Sequence, residues 1–196
     1  FGLWQDRLTG SVDFFYRKTS DMLFQVPVAP SMGYSSYYDN IGDMANTGVE
    51  VVLNGDIFRT RNVVWSVNAN LTWVKNKVLS LPESRKDRTV DGHEGFISGS
   101  TFLAEGLPLN TLYIHEYAGV NPENGLSMWY KKDDAVEGGW RTTSNYGDIS
   151  SDHDSKKLYD STLADIFGGF GTSLYAYGFD FSIAFDYQLG GTTLDG

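Results

Sequence analysis

The sequence predicts an all-β chain, an antiparallel up-and-down sheet of the transmembrane β-barrel kind, on three observations. Apolar and polar residues alternate with period two over long stretches. Those stretches run to about 11 to 12 residues, where strands of water-soluble proteins centre near 5–6 and membrane strands need about 9–11. The connections between them are by turns very short and very long, the asymmetry of barrels with tight turns at one rim and long loops at the other.

Taken in order, the first strand spans about 8–19, with Val12, Phe14 and Tyr16 opposite Ser11, Asp13 and Arg17. After a long connection, Ser20 to Thr47, the second covers about 48–58 and sets Val49, Val51, Leu53 and Ile57 against Glu50, Asn54 and Asp56. Only Arg59-Thr60-Arg61-Asn62 separate it from the third, about 63–74. There Val63, Trp65, Val67, Ala69, Leu71 and Trp73 alternate with Val64, Ser66, Asn68, Asn70 and Thr72. A fourth strand at about 167–177 turns through Tyr177-Gly178 into a fifth at about 179–190. That last strand places Phe179, Phe181, Ile183, Phe185, Tyr187 and Leu189 on one side and Asp180, Ser182, Ala184, Asp186 and Gln188 on the other. Trp65 and Trp73, and Phe179 and Tyr187, stand near the two ends of their apolar faces, where aromatic girdles meet the two membrane interfaces. Five strands cannot close on themselves, so the prediction is a segment of wall, an incomplete barrel with open edges. Phe1-Gly2-Leu3-Trp4 reads as the middle of a longer chain, and Thr192 to Gly196 as a loop.

The region from about 76 to 165 breaks the pattern. It holds 15 of the 25 acids and 9 of the 15 bases, with turn chemistry such as Asn121-Pro122-Glu123-Asn124-Gly125. Asn110 to Val120 and Leu126 to Tyr130 are expected to pair across that turn. This is a solvated loop region with hairpins of its own. Its aromatics Trp129, Tyr130, Trp140 and Tyr146, with Tyr159, are candidate substrate contacts, because flat rings give large apolar area at low entropic cost and stack on sugar faces. The competing reading makes them small loop cores.

Composition excludes several classes. Ten net negative charges oppose nucleic-acid binding, which needs clustered cations to displace counterions. With no Cys there is no disulfide, thiolate metal site or thiol nucleophile. His93, His115 and His153 are too far apart in sequence for a zinc motif. Asp133, Asp134, Asp148, Asp152 and Asp154 are hard oxygen donors suited to calcium, but their spacing is not that of an EF-hand. Neither metal nor cofactor is therefore expected. The Gly168–Gly171 stretch lacks a phosphate-loop lysine, no nucleophile and base converge in sequence, and no enzyme is predicted.

Alternation alone leaves two readings open, since an apolar strand face can meet lipid or the core of a soluble sandwich. The second reading is a secreted β-sandwich that binds carbohydrate. Strand length and the parity of short and long connections favour the wall.

Specific residues add a family resemblance that covers most of the chain. Arg7-Leu8-Thr9-Gly10-Ser11-Val12-Asp13 running into Tyr16-Arg17-Lys18-Thr19 opens the series, followed by Pro27 and Pro30 and by the segment Asn40-Ile41-Gly42-Asp43-Met44-Ala45-Asn46-Thr47-Gly48-Val49-Glu50. Next come Trp65 with Asn68 and Asn70, Lys75-Asn76-Lys77-Val78, and Glu105-Gly106-Leu107-Pro108. Tyr117-Ala118-Gly119-Val120-Asn121-Pro122-Glu123-Asn124-Gly125, Gly168-Gly169-Phe170 and Tyr177-Gly178-Phe179-Asp180 complete it. Their content and order resemble the SusC/RagA family of TonB-dependent outer-membrane transporters of Bacteroidetes. Thr47, where the family often has lysine, and Ile166-Phe167, where a proline-containing stretch is common, depart from the pattern.

The resemblance implies a C-terminal part of a large plugged barrel in the Gram-negative outer membrane. Its loops would be extracellular, and it would import glycans or peptides with a SusD-like surface lipoprotein and energy delivered through TonB. The plug and the TonB-contacting segment that the family carries are absent from this sequence. In such a wall Ser66, Asn68, Asn70 and Thr72 would face the lumen, while Val67, Leu71, Ile183 and Phe185 would meet outer-membrane lipid.

Overall fold

The computed structural model describes residues 1–28, 30–33, 35–40 and 42–194. Ile41 of the family-like segment, and Asp195 and Gly196 of the expected terminal loop, lie outside the described residues. The strands are β1 (Gly2–Leu3), β2 (Leu8–Thr19), β3 (Leu23–Pro27), β4 (Ser36–Asn40), β5 (Asp43–Arg59), β6 (Val63–Ser80), β7 (Arg88–Val90) and β8 (His93–Ser98). They continue as β9 (Thr101–Ala104), β10 (Thr111–His115), β11 (Tyr117–Val120), β12 (Ser127–Lys132), β13 (Trp140–Thr143), β14 (Lys156–Ser161), β15 (Ile166–Ala176) and β16 (Phe179–Leu189).

Six of these form the wall, an antiparallel sheet in the order β1-β2-β5-β6-β15-β16. Its connections follow the predicted parity. Thr60 to Asn62 join β5 to β6, with the Thr60 amide donating to the Val63 carbonyl at 2.7 Å. At the same rim Tyr177 and Gly178 join β15 to β16 with φ of 50° and 90°. Two successive positive φ values make the primed turn whose twist matches paired strands. At the other rim β3 and β4 form a hairpin between β2 and β5, and the long insert separates β6 from β15.

Cross-strand register makes the period-two pattern a property of the whole sheet, because directly paired residues project from the same face. Val12 pairs with Val51, Val51 with Leu71, Leu71 with Gly168, and Gly168 with Tyr187. Gly10, Leu53, Ala69, Phe170 and Phe185 form the next row. The opposite face carries rows such as Thr9, Asn54, Asn68, Gly171 and Ala184. One glycine on the apolar face is sterically required: a side chain at Gly168 would collide with the Asn70 carbonyl and with Tyr187. The Tyr187 hydroxyl crosses that position to donate to the Asn70 carbonyl at 3.0 Å.

Among the described residues nothing covers the apolar face. Even on β6, flanked by strands on both sides, Trp65 and Trp73 are 43% and 40% exposed. The soluble-sandwich alternative is thereby corrected: among the described residues no second sheet packs on this face, and the strands form an incomplete barrel wall.

Two strand limits also need correction. β5 and β6 have 17 and 18 residues rather than the expected 48–58 and 63–74, so the region from 76 starts as strand and leaves the sheet only after Ser80. The added stretches lack apolar alternation. They stay paired through the backbone ladder and through Asn76, whose side-chain amide donates to Asn46 Oδ1 at 2.7 Å. Tyr177, at the end of the expected 167–177 strand, belongs to the Tyr177-Gly178 turn, and β15 ends at Ala176.

The insert has its own architecture: a five-stranded sheet, β14-β10-β9-β8-β7, and a three-stranded sheet, β11-β12-β13. β11 does pair with β12 across the Asn121–Gly125 turn, but β10, from the same expected arm, pairs with β9 and β14. A β-bulge between Thr111 and Tyr113 accompanies that change of partner. Here apolar residues are buried. Val78, Leu81, Phe96 and Leu103 form one core, with Met22, Phe24 and Leu109 against it. Phe102, Ala104 and Tyr113 form a second, with Leu158 and Ile97.

Candidate ligand-contact site

The insert is tied to the polar face of the wall. Asn76 lies on that face by register, and besides reaching Asn46 its Oδ1 accepts from the Leu109 amide at 2.7 Å. Two residues on, Val78 is fully buried in the first insert core. Its amide donates to the Leu107 carbonyl at 2.9 Å, and its carbonyl accepts from the Gly106 amide at 3.0 Å. The Lys75-Asn76-Lys77-Val78 and Glu105-Gly106-Leu107-Pro108 motifs, remote in sequence, therefore meet as the junction of wall and insert.

Below the junction, Ser66, Asn68, Asn70 and Thr72 occupy one face of β6, every second residue. Ser66 donates to Asp56 Oδ1 at 2.8 Å, and Asn70 Oδ1 accepts from the Gly169 amide at 3.0 Å. Thr72 sits in a row with Asp13, Glu50, Phe167 and Gln188. The row is hydrophilic apart from Phe167.

The four candidate aromatics separate into two pairs. Trp129 and Tyr130 are neighbours on β12, so their side chains leave opposite faces of the small sheet. Tyr130 shares its face with Trp140, the partner of Lys132. The Lys157 ammonium lies 4.7 Å from the centre of the Trp140 ring and 5.8 Å from that of Tyr130 and is ion-paired with Glu116. That Glu116 hydrogen bond raises the Lys157 pKa. Rings held under a paired ammonium serve cohesion of the insert.

Trp129 and Tyr146 meet on the other side, edge to face, with ring centres 5.6 Å apart. Tyr146 is held by a short turn in which Asn145 accepts from the Gly147 amide at 3.0 Å, while Asp148 takes hydrogen bonds from Thr143 and Asn145. Both rings line a cleft of about 910 Å³, whose lining also includes His115, Glu116, Lys156 and Tyr159. Trp129, Tyr146 and Tyr159 are thus brought together, and Tyr130 and Trp140 are not.

Sequence reasoning passed over Lys156 and weighed His115 only as a zinc ligand. The signal was the strand alternation of β14, which sends Lys156 and Lys157 to opposite faces, so a Lys-Lys pair is not uniformly solvated. His115 Nε2 donates to the Asp152 carbonyl at 2.9 Å, which leaves it a donor with a fixed role. Burial, and then the Arg88 guanidinium, push the Lys156 pKa down.

The carboxylates considered for calcium are engaged by protein groups. Asp133 accepts from Arg141 at 3.0 Å and Asp152 from Ser155 at 2.6 Å. Among the described residues no three His, Cys, Asp or Glu side chains are grouped to hold a metal ion.

Residues 1–194 match the family model described as "TonB dependent receptor-like, beta-barrel". The TonB-dependent receptor P3 of Formosa agariphila is 32% identical over 98% of this chain, which covers 20% of that relative. The receptor SusC of Bacteroides thetaiotaomicron is 26% identical over 96% of the chain, covering 18% of SusC. A solved structure of the RagAB peptide transporter superposes with a TM-score of 0.72 at 30% identity, covering 95% of this chain and 20% of that one. The chain spans about a fifth of the length of these relatives. It belongs to the TonB-dependent receptors, as a stretch of barrel wall of the SusC/RagA type, together with the long insert that rises from it.

Proposed function

We propose that this chain is part of the wall of an outer-membrane importer for oligosaccharides or peptides, its long connections outside the cell. In this reading Ser66, Asn68, Asn70 and Thr72 face the lumen, and the face with Val67, Leu71, Ile183 and Phe185 meets lipid. Trp129 and Tyr146 contact substrate, and Tyr130 and Trp140 hold the insert together. A SusD-like surface lipoprotein serves as the partner that delivers substrate, and uptake is driven through TonB by other parts of the barrel protein. The carrying observation is the two-faced sheet. One face is predominantly apolar and, among the described residues, uncovered, and the polar one anchors the insert through Asn76 and Val78. A wall needs both faces, since lipid accepts no unpaired polar group and a lumen must stay hydrated.

Single cysteines test the orientation, read in intact cells with a membrane-impermeant maleimide. Cysteine at Tyr146 is expected to label at once, and cysteine at Leu71 only after detergent extraction. Rapid labelling at Leu71 in intact cells would overturn the lipid-facing assignment. A Tyr146 site that stays protected until the membrane is opened would overturn the outside placement of the insert.

A further inference from the structure

The β3–β4 hairpin lies on the insert by one face only, and we infer that it is a hinged strap, latched closed through Arg85, whose release opens the outer end of the polar face. The placement of that end rests on the reading of the long connections as external and of the polar face as lumen. Among the described residues β3 and β4 pair with each other and with no other strand. Where the hairpin leaves the wall, between β2 and β5, the chain bends through Asp21 at φ 56° and Gly42 at φ 106°. These two left-handed positions stand side by side. The Met22 amide donates to the Gly42 carbonyl at 2.9 Å, and the Asn40 side-chain amide donates to Asp21 Oδ1 at 2.8 Å. Paired bends at one level make a hinge, in which a few element-terminal residues take up the change in backbone angle.

One face of the strap meets the insert. Met22 and Phe24 pack against the first core, with the Phe24 and Phe96 rings edge to face at 6.3 Å between centres. Asp39, the register partner of Phe24, accepts from Arg85 Nη2 at 2.5 Å, and the same nitrogen donates to the Tyr37 hydroxyl. The Arg85 guanidinium carbon lies 5.7 Å from the centre of the Tyr37 ring and 5.9 Å from that of Phe96, so this one side chain bridges strap and insert. Its post is fixed: the next residue, Lys86, pairs with Glu105 at 3.2 Å, and Glu105 accepts from the Leu81 amide at 2.8 Å. The latch itself is incomplete. Arg85 Nε is buried without a hydrogen-bond partner among the described residues. A bidentate pair through Nε and Nη2 would have satisfied it, and a buried donor left unpaired costs free energy. The opposite face of the strap leaves Leu23 and Tyr38 exposed. A two-stranded hairpin has little stability of its own, so its closed position depends on Phe24 and Arg85.

The test uses the full outer-membrane protein in intact cells, with a membrane-impermeant maleimide and single introduced cysteines read by mass spectrometry. Val78→Cys reports the first core, which Met22 and Phe24 close, and Ala104→Cys reports the second. With Arg85 in place both should label slowly. Arg85→Gln is expected to speed labelling at Val78→Cys about tenfold, the scale of one lost charge-assisted hydrogen bond, and to leave Ala104→Cys as slow as before. Asp39→Asn, on the strap side, should act similarly. The two substitutions together should do little more than either alone, because they break one latch, and Arg85→Lys should fall in between. An unchanged rate at Val78→Cys in both variants overturns the latch. Equal acceleration at Ala104→Cys overturns the strap, because the insert as a whole has then loosened. Tyr146→Cys, which should label at once, checks the underlying reading separately: if it stays protected in intact cells the outward placement fails, while the same comparison in detergent still decides the latch.

Discussion

The wall and the insert are both β-structure from one chain, yet they treat their apolar residues in opposite ways. Phe14, Phe181 and Phe185 on the wall are 79%, 61% and 49% exposed, while Phe102 and Phe96 in the insert are 0% and 5% exposed. The wall has one apolar face and, among the described residues, no second layer, so its hydrophobic contribution depends on what surrounds it. The insert packs its five-stranded sheet against its own loops, the end of β6 and the segment around Met22 and Phe24, and removes its apolar area from water. The same alternation code thus leaves an apolar face open in one region and fills a dry core in the other.

The largest expected break in this comparison is in the insert. Phe102→Ala leaves a cavity in a fully buried core and should cost the insert about 3–5 kcal/mol. Limited proteolysis should then cut between Leu81 and Asp165 far faster, with the wall unaffected. Next comes the wall, where Leu71→Arg should cost about 2–4 kcal/mol if that position sits near the bilayer midplane. Asn68→Arg, on the opposite face, should cost well under half as much. Urea unfolding in lipid vesicles reads both, and equal costs would mean that the faces do not differ in solvent.

The junction should respond less. Asn76→Ala removes the bonds to Asn46 and to the Leu109 amide, a loss of roughly 1–3 kcal/mol. It should loosen the insert without unfolding either part, seen as faster amide exchange at Leu107 and Leu109.

The smallest effect is with pH. Burial opposes ionisation of Asp152, but hydrogen bonds from the Ser155 hydroxyl and the Asp154 and Ser155 amides outweigh it and hold its carboxyl below the ordinary range. A carboxyl lowered on folding stabilises the insert above the ordinary value of about 3.9 and loses that contribution as pH falls through the folded value. Insert melting should therefore drop below about pH 4 in the parent and less steeply in Asp152→Asn.

Much of the wall was legible because the sheet face repeats every second residue and each strand reports it independently. Trp65 to Trp73 and Phe179 to Leu189 announce strands without any knowledge of their neighbours. The extensions Asp43–Thr47 and Lys75–Ser80 were not legible, because pairing there rests on the backbone ladder and on Asn46 with Asn76, contacts made across 30 residues of sequence. The candidate site was readable only as a set of rings. That Trp129 and Tyr130 part company follows from strand geometry once β12 is known, but that Lys157 lies over Tyr130 and Trp140 follows only from the tertiary placement of β14, which pairs with β10.

By itself, then, the sequence determined the all-β class, the two-faced strands, the alternation of short turns with long connections, and the family likeness, because each is carried by local period or by short ordered motifs. Only the tertiary structure decided that, among the described residues, no second layer lies on the apolar face, that the insert buries two cores and grips the polar face through Asn76 and Val78, and that Lys157 rather than Lys156 lies over Tyr130 and Trp140. Those outcomes depend on which distant strands become neighbours, and a period-two pattern specifies a face without naming what will lie against it.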